Sequence, residues 1–478
     1  MTSETVNPPT PTHAPGGPRL EGLKGANPYA SPLDSDRTPL GPGDRAATPP
    51  AQHDELADIC FCPCLRPILR VIGHGGFIAN VYTLASATLG AGIVTVPGGF
   101  ANSGILVSAI LLAVVCACTI YSLRLLVQAK ELTGLRSYEE LARSLLGRGW
   151  DYLTAFLMFM FCWGVCVGYV ISIADIVFVM FQKEGQPEYP RTGIKVLLFT
   201  SLIWLLLMLP PSLPKQINSL RYMSFIGVMS IMFFVLCVVI HYIQNSNKPA
   251  FKDLNLSNSG MGAIQGLNLF IFSFICQVNA FEIYEEMVDP TVNRMTRDSA
   301  ISMILVAVLN FISGFFGYCD FGAKVKGSLL LMYNPAGNAL FMIAYIGICI
   351  KVCVGFAICI QPSRDAIYYS LGLGKTSDVR TWVNILVSVG LSITALVCGL
   401  FIPDISTVFS FLGGICGGVL GFLLPAYFYL YTGGFTLKRL GRRRFLLNLL
   451  GCTILLVGGV IAVVFGTAVT IYDQVVPS

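Results

Sequence analysis

The chain has 478 residues, of which 54% are hydrophobic and 12% are charged, and its mean hydropathy is +0.70. This composition excludes a soluble globular protein and indicates a polytopic membrane protein. The net charge of +5 comes from Lys and Arg in the loops between apolar segments, so it gives no reason to invoke a nucleic acid partner.

The first 70 residues are predicted to form a disordered cytoplasmic tail. Residues 1–57 are rich in Pro, Gly, Ser, Thr and Asp and poor in large apolar side chains, so they have little with which to build a core. Four Ser-Pro or Thr-Pro pairs are either phosphorylation sites or ordinary linker composition, at Thr10, Ser31, Thr38 and Thr48. Three cysteines near the first apolar segment suit palmitoylation better than metal binding, since no second Cys or His cluster completes a metal site. They are Cys60, Cys62 and Cys64.

Residues 71–472 are predicted to form one all-α transmembrane domain. A spanning helix needs roughly 20 apolar residues, and the domain contains eleven stretches of about that length. They cover residues 77–100, 105–127, 152–181, 196–211, 222–242, 261–281, 299–318, 338–360, 382–401, 405–431 and 445–471. A signal peptide is not apparent, so the first stretch is expected to direct insertion.

The loop charges predict the orientation. Lys and Arg in short loops resist translocation and mark the cytoplasmic side. With the amino terminus in the cytoplasm, the inner loops hold sixteen Lys and Arg and the outer loops hold seven, which favours this orientation. The carboxyl terminus is then external. We expect the plasma membrane, with an internal organelle as the alternative.

The first stretch is interrupted near its centre by the segment Thr88-Leu89-Gly90-Ala91-Gly92-Ile93. Glycine weakens a helix, and a spanning helix has to satisfy its own backbone polar groups. Unwound backbone at membrane depth therefore survives only where it lines a cavity or meets a ligand. Taken alone, the glycines are equally compatible with tight helix packing.

The sixth stretch is interrupted as well, by a segment that begins at Ser273-Phe274. It contains Gln277, Asn279 and Glu282, which stand where a lipid-facing sequence would be apolar. Polar residues within a span are costly and indicate a functional site.

The two interrupted stretches occupy matching positions if residues 77–242 and 261–431 are repeats of five spans each. Five is an odd number, so the second repeat is inverted in the membrane, and residues 445–471 form an additional helix. Broken helices at matching positions of inverted repeats are typical of the mid-membrane site of a secondary transporter.

Such a site suits an α-amino acid. The free N–H groups and positive dipole end of one half-helix receive a carboxylate, and the unpaired carbonyls of the other receive an ammonium group. A side chain at Gly90 or Gly92 would block that approach. The predicted partners are therefore an amino acid substrate and the lipid bilayer.

Several motifs resemble a known family. They are Asn80, Gly90-Ala91-Gly92-Ile93 and Pro97 in the first stretch, Cys276 and Ile283-Tyr284-x-Glu286 around the sixth, and Gln361-Pro362-x-Arg364 after the eighth. Over about residues 70–470 the chain resembles the amino acid/auxin permease family and, with its long tail, the trypanosomatid amino acid permeases. The resemblance implies the leucine-transporter fold, in which stretches one and six enclose the substrate and stretches three, eight and ten complete the site. The chain departs from the family at two positions: many members have His where this chain has Gln277, and Pro where it has Glu282.

The residues predicted to bind substrate come from the two breaks and the third stretch. They are Thr88, Gly90, Ala91, Gly92, Ile93, Tyr169, Asp175, Ser273, Phe274, Gln277, Asn279 and Glu282.

Two of these residues bear on the choice of amino acid. Glu282 lies about one turn beyond the sixth break, where a carboxylate would meet a substrate side chain, and Asp175 lies toward the outer vestibule. Together they predict a cationic substrate, arginine or lysine. If Glu282 instead pairs with Lys351 or caps a half-helix, the substrate is a neutral amino acid.

Lys351 lies well inside the eighth stretch and is the predicted ion-coupling residue. In the implied fold this stretch faces the first one, where sodium-driven relatives hold an ion. A fixed ammonium replacing that ion favours coupling to H⁺, or exchange, over Na⁺. The alternatives are a structural ion pair and a side chain that extends to the membrane surface.

The sequence gives less support to other classes of protein. The four histidines avoid the middle of every stretch, and we find no nucleophile motif or phosphate-binding glycine loop, so neither an enzyme nor a metal or other cofactor is predicted. A nutrient sensor built on a transporter scaffold is the remaining alternative. Asn255-Leu256-Ser257, in a predicted outer loop, is a candidate glycosylation site.

Overall fold

The computed structural model describes residues 76–475 apart from short gaps at 183–189, 215–219, 246–248, 250, 252–253, 259, 326, 336, 375, 377–378 and 438–440. The predicted tail, with Cys60, Cys62 and Cys64, lies outside the described residues. Regular structure in the described part of the chain is entirely helical.

Fourteen helices position the site. Those of the first half are α1 (Phe77–Thr88), α2 (Val96–Ser103), α3 (Ile105–Thr133), α4 (Tyr138–Leu145), α5 (Trp150–Phe181), α6 (Ile194–Ser212) and α7 (Leu220–Gln244). Those of the second half are α8 (Met261–Phe274), α9 (Ala280–Glu286), α10 (Val292–Phe321), α11 (Ala339–Ser370), α12 (Thr381–Phe401), α13 (Ile405–Tyr431) and α14 (Arg442–Val475).

Ten helical segments among the described residues are long and apolar enough to cross a membrane, with α8 and α9 counted as one segment. The predicted first span is two short helices, α1 with 12 residues and α2 with 8. Each is shorter than the roughly 20 residues that cross a bilayer unaided. The all-α polytopic class is confirmed, whereas the count of eleven spans and the inverted repeat stay predictions.

α5 is the central helix of the bundle, since 83% of its most apolar window is buried, against 22% for α6. Small residues bring its neighbours close. A Cβ atom at Gly164 would lie 2.7 Å from the Leu412 side chain of α13, and one at Gly399 of α12 would lie 2.6 Å from Val170. Close backbone approach of this kind holds helices together in lipid, where hydrophobic burial contributes little. It fixes the face of α5 that carries Tyr169.

The short helix α4 begins with a local capping arrangement at Ser137. The Ser137 side chain accepts a hydrogen bond from the Glu140 N–H at 3.1 Å, and the Glu140 carboxylate accepts one from the Arg136 N–H at 3.0 Å. This reciprocal arrangement satisfies N–H groups that have no partner within the helix. Tyr138 is buried, and its hydroxyl donates to the Leu420 carbonyl of α13 at 3.0 Å.

Candidate substrate site between two broken helices

The break between α1 and α2 is a turn followed by a single 3₁₀ turn, Ala91–Val94. α1 ends where the Leu89 N–H donates to the Ala85 carbonyl at 2.7 Å. On the other side, the Thr95 hydroxyl donates to the Gly92 carbonyl at 2.9 Å, and α2 begins at the next residue. The first N–H groups of a new helical turn have no earlier helical carbonyl to bind, so they are available to a ligand.

The break between α8 and α9 is built differently. α8 ends where the Ile275 N–H donates to the Phe272 carbonyl at 3.3 Å. The Gln277 side chain then accepts from the Cys276 N–H at 3.0 Å, and the 3₁₀ turn Gln277–Asn279 leads into α9. A side chain has taken the place of a helical carbonyl, so this break needs no glycine.

Both breaks line one cavity of ≈ 40 Å³, whose remaining wall comes from α5 and α11. The predicted site residues in the wall are Thr88, Gly90, Ala91, Gly92, Tyr169 and Asn279. The volume holds only a few water molecules. An amino acid therefore needs part of the wall to move.

Tyr169 is the side chain that fills the space between the first break and α11. A Cβ atom at Gly90 would lie 2.7 Å from the Tyr169 hydroxyl, and one at Gly355 would lie 2.8 Å from the same hydroxyl and from the ring. The ring is thus held between two positions that lack a side chain. Gly355 was not predicted, because a glycine within an apolar stretch looks like an ordinary packing residue.

Aromatic rings close the cavity on the α8 and α13 side. Phe272 of α8 stacks on Phe409 of α13 with ring centroids 3.9 Å apart, and Phe161 of α5 lies 6.0 Å from Phe272. A Cβ atom at Gly168 would lie 2.2 Å from the Phe409 ring, so that ring packs directly on α5. α13 therefore contributes to the site through an aromatic ring behind the wall.

Lys351 of α11 reaches the first broken helix. Its side chain is 3% exposed, and its ammonium group donates to the Ser86 carbonyl at 2.8 Å and to the Ser86 hydroxyl at 2.7 Å. Ser86 is two residues from the end of α1. The contact between the eighth and first stretches, expected from the resemblance, is therefore present. The role of Lys351 in ion coupling stays a prediction.

Asp175 is buried away from the cavity wall. Its carboxylate lies 2.8 Å from the Arg191 guanidinium, which also donates to the Ile402 carbonyl at 3.3 Å and to the Pro403 carbonyl. The residue is 1% exposed. In this conformation Asp175 joins α5 to the segments before α6 and α13, so it does not reach a ligand in the cavity.

Glu282 is exposed on α9 and is not among the residues that line the cavity. The buried residues of this short helix are on its other faces: Ala280, Phe281, Ile283 and Tyr284. The structure therefore separates Asn279, which faces the cavity, from Glu282, one turn further along α9.

Four more predicted residues are buried around the breaks without lining the cavity. The Gln277 amide donates to the Ser122 hydroxyl and to the Gly421 carbonyl, each at 3.4 Å. The Ser273 hydroxyl accepts from the Asn310 amide at 3.3 Å, and the Ile93 carbonyl accepts from Ser313 at 3.5 Å. Phe274 is fully buried. Gln277, Ser273 and Ile93 fix the breaks to α3, α10 and α13.

Sequence reasoning missed most of the remaining wall. The missed residues are Ala87, Phe161, Cys162, Val165, Phe272, Ile275, Val278, Ile358, Cys359 and Pro362. Pro362 belongs to a motif that carried the family resemblance, which is the one signal that pointed to it. Asn255, the candidate glycosylation site, is exposed, and its N–H donates to the Tyr318 hydroxyl at 3.1 Å.

The chemistry of the wall is uncharged. Among the described residues it contains no Asp, Glu, Lys or Arg, and its polar side-chain groups are the Thr88 and Tyr169 hydroxyls, the Asn279 amide and the thiols of Cys162 and Cys359. Opposite helix ends meet at each break, which provides partial positive and negative charge from the backbone. The arrangement can bind a zwitterion by its backbone and accommodate an apolar or small polar side chain.

The fold is similar to that of two solved transporters. A mutant manganese transporter of Eremococcus coleocola has a TM-score of 0.55 at 15% identity, over 84% of this chain and 88% of that chain. Mhp1, a nucleobase-cation-symport-1 family transporter in a closed conformation with bromovinylhydantoin bound, has a TM-score of 0.51 at 13% identity, over 84% and 93%. These likenesses show the fold alone, and the class is a polytopic helical membrane protein of the leucine-transporter type.

Residues 73–472 match the family described as Transmembrane amino acid transporter protein. The chain belongs to this family. The resemblance to amino acid/auxin permeases is confirmed, as is the prediction that the protein is a transporter and not an enzyme.

Two relatives are 26% and 25% identical to the chain. Sodium-coupled neutral amino acid transporter 7 of Xenopus laevis is 26% identical over 363 residues, which are 73% of this chain and 80% of the relative. Vacuolar amino acid transporter 2 of Saccharomyces cerevisiae is 25% identical over 366 residues, 72% of this chain and 74% of the relative. The first name specifies neutral amino acids, and the second specifies the vacuole.

Proposed function

We propose that the protein is a secondary active transporter that carries a neutral α-amino acid by alternating access around the cavity between α1/α2 and α8/α9. One observation carries the proposal. Both broken helices line the cavity, and the part of its wall that the structure describes contains no Asp, Glu, Lys or Arg. A charged substrate side chain would leave water there without a partner, which is costly at low dielectric.

The substrate's own charged groups are recognised by the backbone. Ala91 and Gly92 lie in the first turn of a 3₁₀ helix, where N–H groups favour a carboxylate. The end of α8 supplies carbonyls to the ammonium group. This division leaves the side chain to face Phe161, Cys162 and Cys359. It explains why one site can accept several neutral amino acids.

The name of the Xenopus laevis relative supports a neutral substrate, as does that of a 23% identical protein of Danio rerio, Sodium-coupled neutral amino acid symporter 2. A cationic substrate remains the second candidate, because Glu282 follows Asn279 by one turn. For Glu282 to act, α9 has to turn its exposed face toward the cavity during the transport cycle. The two candidates differ in one measurable property, the response to arginine and lysine.

We further propose that the ammonium group of Lys351 occupies the place of a coupling cation. It is bound by the carbonyl and hydroxyl of Ser86, which are the kinds of oxygen that coordinate Na⁺ in sodium-driven transporters. Transport should then be driven by H⁺ or by exchange. Lys351→Met should lose stimulation by a pH gradient. The control is Lys195→Met, at an exposed position at the start of α6. Normal uptake by Lys351→Met with unchanged ion dependence would refute this role.

The proposed topology has eleven spans, a five-plus-five inverted repeat, a cytoplasmic amino terminus and an external carboxyl terminus. We propose the plasma membrane, with an organelle as the alternative that the yeast relative's name favours. Protease protection of a carboxyl-terminal tag in intact cells tests the orientation. Glycosidase treatment tests whether Asn255 carries a glycan.

Uptake by the purified protein in liposomes tests the proposal. We expect labelled alanine, serine or glutamine to accumulate or exchange, with Gly92→Leu inactive although the protein is inserted. Measurable binding without any accumulation or exchange, in both directions of a pH gradient, would favour a sensor over a transporter.

A further inference from the structure

Three consecutive arginines open α14 at the end that is predicted to be cytoplasmic. Arg442, Arg443 and Arg444 are all exposed. Leu446 and Leu447 follow immediately and are 53% and 58% exposed, as expected of side chains that face lipid tails. Because a helix rises about 1.5 Å per residue, the guanidinium groups stand within one turn of the bilayer's apolar region. They are therefore at the depth of lipid headgroups.

The cluster places three positive charges side by side. Two other arginines at the same predicted face have acidic partners: Arg294 lies 3.3 Å from Asp289, and Arg297 lies 3.0 Å from Asp298. Within the described part of the chain, no ion pair involves the three arginines of α14. The sequence contains no Asp or Glu at all between residues 405 and 472.

We propose that Arg442, Arg443 and Arg444 form a binding surface for the phosphate groups of anionic membrane lipids in the cytoplasmic leaflet. Guanidinium groups bind phosphate oxygens in a bidentate geometry, and basic residues beside a span attract anionic lipids. The positive dipole end of α14 adds to the same field. The surface faces lipid on the Leu446 and Leu447 side, so the occupant is a lipid headgroup rather than a soluble anion.

The bound lipid would contact the protein next to a junction of three helices. The backbone carbonyl of Asn448 in α14 accepts a hydrogen bond from the Tyr121 hydroxyl of α3 at 3.2 Å. The side-chain amide of Asn448 donates to the Tyr429 hydroxyl of α13 at 3.1 Å. This junction starts one turn after the arginines. A headgroup held there steadies the start of α14 against α3 and α13.

Native mass spectrometry of the full chain in detergent tests the proposal, with short-chain phosphatidylserine, short-chain phosphatidylcholine and inorganic phosphate as probes. We expect about a tenfold preference for phosphatidylserine over phosphatidylcholine, decreasing as salt rises. Inorganic phosphate should compete poorly. Equal binding of the two lipids, or displacement of phosphatidylserine by equimolar phosphate, would overturn the proposal.

Variants assign the preference to the cluster. R442Q/R443Q/R444Q should lose most of the preference, and R442K/R443K/R444K should retain most of it. The control R294Q changes an exposed arginine that has an acidic partner and should bind like the natural protein. If the glutamine variant does not fold, the lysine variant and the salt dependence still test whether the positive charge of the cluster determines the lipid preference. An unchanged preference in a folded glutamine variant, or loss of preference in R294Q alone, would contradict the assignment.

Discussion

The two helix breaks are made by different means. The first has glycines at Gly90 and Gly92, and no side chain caps the N–H groups at the start of its 3₁₀ turn. The second is held by Gln277, whose side chain accepts from the Cys276 N–H and donates to α3 and α13. The first break thus leaves its backbone open to a ligand, whereas the second anchors itself to the bundle and presents mainly Asn279. We infer that the first break recognises what all amino acids share.

Gly90→Ala should have the largest effect. Its Cβ atom would meet the Tyr169 hydroxyl at 2.7 Å but the nearest ring carbons at 3.6 Å. The methyl group and the Tyr169 hydroxyl would have to move apart, and we expect the resulting misalignment of the site to lower uptake by about 100-fold. Tyr169→Phe removes the clashing oxygen, so the double variant Gly90→Ala/Tyr169→Phe should be no worse than Tyr169→Phe alone. The initial rates of uptake in liposomes are measured for the natural protein, the two single variants and the double variant, which together form a double-mutant cycle.

Two glycines provide the controls. Gly98→Ala in α2 should be near normal, because its Cβ atom would meet only the Ser406 hydroxyl at 4.0 Å. Gly355→Ala should lower uptake to a similar extent and should not be rescued by Tyr169→Phe, since its Cβ atom would lie 2.8 Å from a ring carbon. Additive losses at Gly90 and Tyr169 would show that the hydroxyl is not what excludes the methyl group.

Gln277→Ala should come next. It leaves the buried Cys276 N–H without its side-chain acceptor, at a cost of about 1–3 kcal/mol. The expected result is a lower melting temperature together with a lower maximal rate, while KM changes little. Gln265→Ala, at a half-buried position on α8 outside the cavity, is the matched control. A raised KM with unchanged thermal stability would mean that Gln277 contacts the substrate directly.

Asn279→Ala should show the opposite pattern. Asn279 lines the cavity, so its loss should raise KM by up to about tenfold, the value of one hydrogen bond. Thermal stability should hardly change. Asn279→Asp separates polarity from charge, because a carboxylate there should attract cationic amino acids. If Asn279→Ala destabilises the protein and leaves KM alone, the two breaks are more alike than we propose.

Glu282→Gln should have the smallest effect, less than about threefold on the uptake of any neutral amino acid, because the side chain is exposed and outside the wall. Competition by arginine measures the alternative role. A loss of arginine competition on Glu282→Gln, with neutral uptake intact, would indicate that α9 presents this carboxylate to cationic substrates.

The sequence was sufficient to predict both breaks, because Gly90, Gly92 and Gln277 are anomalies within apolar stretches. The capped helix at Ser137 was predictable for a similar reason, since capping is local. The opposite wall was not predictable. Residues such as Phe161 and Cys359 are ordinary within a span, and only tertiary packing brings them to the cavity.

Local sequence also does not determine the direction in which a side chain points. Glu282 was placed correctly along the sixth stretch, but the side chain's direction depends on how a seven-residue helix packs. Lys351 was expected to face the first stretch, and it does so. Its particular partner, Ser86, is 265 residues away in the chain. A partner at that separation is visible only in the folded bundle.

A competition panel tests the central claim most directly. Liposomes that contain the purified protein take up labelled alanine from outside. Unlabelled neutral, cationic and acidic amino acids are added outside at equal concentration, and the decrease in alanine uptake is measured for each. We predict that several neutral amino acids compete, that arginine, lysine and glutamate do not, and that Gly90→Ala lowers uptake by about 100-fold. Competition by arginine and lysine, with none from neutral amino acids, would contradict it.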